Sequence, residues 1–156
     1  MKSQVRILLR PPSSPLVNPK THTSTGDAMT GVSDGTAFAH AFGRVLTERE
    51  PRKMRLPGVT AAAVLVALFE EDGEVRVWLL RRPTDLRTHA GQVALPGGKK
   101  DAADATIVET ALREADEEIG LHPTSVRVLG VGDEYITVTR FAVTPVVAWV
   151  TGPFEP

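Results

Sequence analysis

The sequence predicts an α/β (α+β) domain on three observations: two apolar strands joined by a tight turn, two amphipathic helical stretches, and further β-rich segments after the second helix. "VTAAAVLVALF" and "EVRVWLLRR" flank "EEDG", the pattern of a hairpin with Gly73 in its turn. Upstream, Phe38, Phe42, Val45 and Leu46 recur at helical spacing. That helix is expected to be capped by Thr36, to end before Pro51 and to pack on the outside of the domain. The second helix is expected over residues 105–120, with Asp104 near its start and Gly120 ending it. Its buried stripe is Val108, Ala111, Leu112, Ala115 and Ile119. "SVRVLGV" and "YITVTRFAVTPVVAWV" read as the later strands.

Composition narrows the functional classes. A length of 156 residues suits one ordinary domain, and a formal net charge of −1 gives no global field for nucleic acid or an anionic membrane. There is no cysteine, which excludes disulfides, thiolate metal sites and thiol nucleophiles. The longest apolar run, Ala61 to Phe69, is too short to span a bilayer as a helix, and the N-terminus has no signal-peptide pattern. A soluble, cytoplasmic protein is therefore expected, with no nucleic-acid or membrane partner. Residues 1–35, rich in Pro, Ser, Thr, Gly and Asn, are expected to be disordered, leaving 36–156 as the folded domain. Met29 follows this tract and is a candidate later start, with residues 1–28 an extension of no structural consequence.

The informative segment is "LREADEEIG", in which Glu114, Asp116, Glu117 and Glu118 crowd one helix. Like charges at i,i+4 weaken an isolated helix, so Glu114 and Glu118 need compensation. Glu114, Glu117 and Glu118 share one arc beside the buried stripe, while Glu109 and Asp116 lie elsewhere as surface charges. Two readings are open. The patch is a solvated face partnered by Arg113, or its all-oxygen donors hold a hard cation such as Mg²⁺ or Mn²⁺, which usually also takes substrate phosphate oxygens. The loop over residues 82–105 carries three glycines and two prolines, and loops of this length are usually functional. Within it, Gly97 and Gly98 permit close backbone approach to a ligand or metal, or simply a turn.

Taken together, "GGKKDAADATIVETALREADEEIGL" resembles the Nudix box, the signature of hydrolases that cleave nucleoside diphosphates linked to another moiety. The match is complete from Arg113 through Glu114, Ala115, Glu117, Glu118, Gly120 and Leu121. Upstream it departs: with five residues between them, Gly98 is followed by Asp104 in place of Glu, and the next spacer is eight residues long instead of seven. That departure, with "LLRRPTDLRTHAGQVALPGGKKDAADA", resembles the coenzyme A pyrophosphatase branch, in which an Asp-x-x-Asp, here Asp101 and Asp104, replaces the glutamate. The resemblance covers roughly residues 59 to 149.

The resemblance implies a fold and a set of roles. The fold is an α/β/α sandwich around a mixed sheet. Glu114, Glu117 and Glu118 would hold Mg²⁺ or Mn²⁺, helped by the carbonyl of Gly98. Glu117, Arg113 and Glu114 would be the catalytic group, with the choice of general base open among the glutamates. Arg113 would orient a box carboxylate and pair with Asp104. Arg81, Arg87, His89, Gln92 and Gly97 would contact a small nucleotide substrate resembling coenzyme A. Arg82, Lys99 and Lys100 read equally well as substrate contacts or surface charge, and Glu134 reads as a loop acid or an extra carboxylate from outside the box.

The segment after the box ends at "TGPFEP", directly after a strand, where the family pattern implies a further closing helix. Either the chain is a fragment or a truncated reading frame, or a shortened domain covers the second sheet face by another route, the N-terminal helix or the second subunit of a homodimer; an uncovered face would leave a less stable domain. Three activities follow: coenzyme A diphosphatase, Nudix hydrolase of ADP-ribose or a dinucleotide, and an inactive Nudix-fold protein.

Overall fold

A computed structural model describes residues 3–8, 34–81, 92–152 and 154. In chain order these form β1 (Ser3–Leu8), α1 (Asp34–Thr47), β2 (Thr60–Glu71), β3 (Glu74–Arg81), β4 (Val93–Ala94), β5 (Gly97–Lys99), α2 (Ile107–Ile119), a 3₁₀ turn (Pro123–Ser125), β6 (Val126–Val131), β7 (Tyr135–Ile136) and β8 (Phe141–Val150). The strands make one mixed sheet in the order β1-β3-β2-β8-β6, with β4 on β3, β5 on β2 and β7 on β8. Only β2 and β8 run parallel among these pairs.

The β2–β3 hairpin closes through Asp72 (φ 55) and Gly73 (φ 74), with Glu71 facing Glu74. Two left-handed residues in a two-residue loop are the type I′ geometry that matches strand twist. β2 changes antiparallel partner along its length: Ala62 to Val64 face β5, and Leu68 to Glu71 face β3. Pro145 lies on β8 between Val143, which faces β7, and Val146, which faces β6. The residue without an N–H thus sits at a break in that flank.

Alternation along the strands builds two cores. On one face Ala63, Leu65, Ala67, Val146, Ala148 and Val150 meet Ala111, Ala115 and Ile119 of α2. On the other, Leu68, Val77, Leu129, Val147 and Trp149 meet Ala39, Phe38, Phe42 and Leu46 of α1. The sandwich has the α/β class expected, and α1 is the route by which the second face is covered.

Several expectations are corrected. Ser3–Leu8, placed in the disordered segment, is an edge strand paired with β3 along its whole length, from Ser3 with Arg81 to Leu8 with Arg76. Its ladder bonds escape a composition average dominated by the Pro- and Ser-rich tract that follows, and they give part of residues 1–28 a place in the sheet. The helix expected from Thr36 begins at Asp34. Val45 is 59% exposed, and Gly35, Ala39 and Gly43 complete the packed stripe instead. Gly130 lets α1 approach β6 closely, since a Cβ there would lie 2.6 Å from Leu46 Cβ. The expected long loop contains β4 and β5. The segment read as one strand after Tyr135 is broken by a turn whose last residue, Arg140, has φ 64.

A carboxylate and arginine cluster on a glycine ridge

Local sequence sets α2 in place. Thr106, in extended conformation, is its N-cap and accepts from the Glu109 N–H at 3.2 Å, while Glu109 accepts from the Ala105 N–H at 2.8 Å. This Thr-x-x-Glu spacing was visible in the sequence and marks the start better than Asp104 did. Gly120 ends the helix at φ 72, its N–H bonding to the Asp116 carbonyl, and Leu121 turns into the core.

Asp104 is freed from capping and used inside the fold. It is only 6% exposed and accepts from the Asp101 N–H at 2.9 Å, from Thr110 Oγ1 at 2.9 Å and from both sides of the Arg113 fork, Nε at 3.0 Å and Nη2 at 3.1 Å. Arg113 and these donors hold its carboxyl well below the usual carboxylate range, against the opposing effect of burial. The same fork reaches Glu114 at 3.0 Å, Glu117 at 3.1 Å and the Lys99 carbonyl at 3.2 Å. Chiefly through Asp104, the guanidinium is pushed above its ordinary range. Arg113 thereby offsets the repulsion that the sequence places on this helix.

Gly97 and Gly98 sit against Glu118 and Glu114. The Gly97 N–H donates to Glu118 Oε2 at 3.0 Å, and a Cβ on Gly98 would lie 2.4 to 2.5 Å from the Glu114 carboxylate. A Cβ on Gly97 would strike the Ala63 carbonyl at 2.3 Å. The glycines are a strand edge over which α2 lays its acids, and not the simple turn that was one reading of them.

The structure thus brings together Asp104, Arg113, Glu114 and Glu117, and separately Glu118 with Gly97 and Glu114 with Gly98. It does not gather Glu114, Glu117 and Glu118 about one point: among the described residues no three His, Asp or Glu side chains stand as a ready cation site. Their oxygens are turned to Arg113 and to the Gly97 N–H. As donors they fit a hard cation, being all oxygen and lining one ridge. Arg81 is exposed at the end of β3 opposite Val93, and Gln92 is exposed just before β4. Arg82, Arg87 and His89 lie outside the described residues. The Lys100 ammonium donates to the Asp104 carbonyl, so it fixes the loop. Glu134 accepts from the Met54 N–H at 2.7 Å and from Thr144 Oγ1 at 3.4 Å. It is a loop clamp, and sequence offered no signal for its partner. No helix among the described residues is long and apolar enough to cross a membrane.

The family model of the NUDIX domain matches residues 59–153, which include all of this cluster. The chain belongs to the Nudix family. Its relatives include a Pectobacterium atrosepticum protein named "Uncharacterized Nudix hydrolase NudL", 56% identical over 89 residues, 57% of this chain and 46% of that one. Nudix hydrolase 22, chloroplastic, of Arabidopsis thaliana is 45% identical over 98 residues, 61% of this chain and 32% of that one. This Nudix chain therefore spans less than half the length of either relative. Among solved structures, RenU, a Nudix hydrolase from M. smegmatis, superposes with a TM-score of 0.52 at 25% identity, covering 67% of this chain and 72% of that one.

Proposed function

We propose that this chain is a cation-dependent diphosphatase that hydrolyses the diphosphate of a nucleoside diphosphate derivative. We assign coenzyme A or acyl-coenzyme A as substrate, with 3′,5′-adenosine bisphosphate and (acyl-)4′-phosphopantetheine as products. The observation that carries the reaction class is the ring of Asp104, Glu114 and Glu117 about the Arg113 guanidinium, set on the ridge of Gly97 and Gly98. The substrate assignment rests on "LLRRPTDLRTHAGQVALPGGKKDAADA".

Glu114, Glu117 and Glu118, with the Gly98 carbonyl, are assigned to hold Mg²⁺ or Mn²⁺. A cation held there would screen the diphosphate oxygens and make a nearby water more acidic. Arg113 fixes two of the carboxylates, and Asp104 fixes Arg113. Glu117 is 59% exposed against 17% for Glu114, so it is the box carboxylate most open to an arriving substrate and to the proton of the attacking water. Arg81, Arg87, His89 and Gln92 are assigned to the substrate's anionic and polar groups.

Purified protein incubated with coenzyme A, with and without Mg²⁺ or Mn²⁺, should release adenosine bisphosphate only with the cation. Glu117→Gln should lower the rate by about a hundredfold or more. Cleavage of ADP-ribose or a dinucleotide but not coenzyme A would replace the substrate assignment, and silence on all of them from folded protein would overturn the activity.

A further inference from the structure

Residues 49–58, "REPRKMRLPG", hold four of the chain's 18 lysines and arginines against one acid, although the whole chain is nearly neutral. Charged side chains pin this strap at both ends. Asp133 accepts from the Arg52 N–H at 2.8 Å and pairs with the Arg49 guanidinium. The Glu134 N–H donates to the Arg52 carbonyl at 3.0 Å, and its carboxylate takes the Met54 N–H. Arg140 donates to the carbonyls of Pro57 at 2.7 Å and Gly58 at 3.3 Å from a left-handed backbone, φ 64, that costs a non-glycine residue energy. Three charged residues are thus spent on backbone groups of a segment that buries almost nothing: Arg52, Lys53, Met54, Arg55 and Leu56 are all exposed. Among the described residues neither Lys53 nor Arg55 has an ion-pair partner.

The clamp also sets where the strap lies. Gly98 faces Ala63 on β2, and Ala63 faces Thr144 on β8. Thr144 alternates in step with Val146 and Ala148, which pack on the α2 side, and its hydroxyl bonds Glu134. The strap is therefore held on the face that carries the box. It stands two strand spacings from Gly98, about 10 Å, plus the reach of one carboxylate.

Building on the diphosphatase reading, we propose that Lys53 and Arg55 form a subsite for a second anionic group of the substrate: a phosphate monoester on the nucleoside, beyond the diphosphate that is cleaved. Paired cations held on a pinned backbone suit a dianionic phosphate better than a single flexible lysine would. The subsite selects among nucleotide substrates and takes no part in bond breaking.

The test compares coenzyme A with dephospho-coenzyme A, which carry the same diphosphate and differ by the 3′-phosphate, in the parent protein and in a Lys53→Gln/Arg55→Gln variant. The parent should favour coenzyme A, and the variant should raise its KM by about tenfold while leaving kcat and both constants for dephospho-coenzyme A unchanged. Arg44→Gln, which removes one exposed cation from α1 on the opposite face, should change neither substrate. Equal effects on both substrates, or no effect of the double substitution, would overturn the subsite. If neither substrate is cleaved, the activity proposal fails by itself. Calorimetry with 3′,5′-adenosine bisphosphate and AMP then decides the subsite: tighter bisphosphate binding that the variant loses supports it, and equal or absent binding of both overturns it.

Discussion

The two faces of the sheet use the same device to different ends. On the α1 side, Gly130 brings a helix against β6, and what fills the contact is Leu46, Leu129 and neighbouring aromatic side chains. On the α2 side, Gly97 and Gly98 also remove side chains from a strand, but what fills the space at Gly98 and bonds the Gly97 N–H is carboxylate. Close approach serves packing on one face and the positioning of charge on the other. A glycine beside a helix therefore says little until the neighbour's chemistry is known.

Substitution of these glycines breaks the comparison open. Gly98→Ala meets first the far end of Glu114, which can swing away, so the fold should survive while activity falls by about a hundredfold as the carboxylate is displaced. Gly97→Ala meets the Ala63 carbonyl and Val64 Cα, and Gly130→Ala meets Leu46 Cβ. Neither contact can yield cheaply, so each should lose roughly 1–3 kcal/mol in denaturant unfolding. Turnover by the folded fraction of Gly130→Ala should be unchanged. Loss of turnover in Gly130→Ala equal to that in Gly98→Ala would erase the distinction between the faces.

Acid sharpens it further. Because the folded Asp104 carboxyl is held below its unfolded value, the folded protein binds fewer protons than the unfolded chain, and the contribution is complete above the ordinary carboxylate range. It is lost as pH falls below about 4. Thermal melts should decline from there, and Asp104→Asn should melt lower than the parent at neutral pH with a gap that narrows in acid. Asp133, shifted the same way chiefly by the Arg52 N–H, keeps some acid slope in the variant. The smallest effect is expected at Arg44→Gln, whose 3.4 Å pair with Glu48 is exposed on α1, and should stay within about 0.5 kcal/mol.

Much of the α2 face was legible in the sequence because its determinants are local. Arg113, Glu114, Glu117 and Glu118 lie within six positions, and their helical spacing alone predicts a shared arc. The reach of Arg113 back to Asp104 followed from the family resemblance, and the burial of Asp104 explains why that position is not a cap. What escaped was non-local. Nothing near Ser3 announces a partner at Arg81, and nothing in "REPRKMRLPG" announces that Asp133, Glu134 and Arg140 hold it. Val45 fits the helical period as well as Phe42 does, yet it is exposed because β6 meets the helix along Gly43 and Leu46.

The parallel pairing of β2 with β8 has a consequence for how the molecule comes into being. Thr60 faces Phe141 and Leu68 faces Trp149, so about half the chain separates the partners. The β2–β3 hairpin, β5 and α2 are all made before β8 leaves the ribosome, so the charged cluster has its own strands and helix in hand early. The central seam waits for β8 and closes a long loop to form. Until then β2 presents an open apolar edge, which makes the nascent chain, more than the finished one, the stage at which it is prone to associate wrongly.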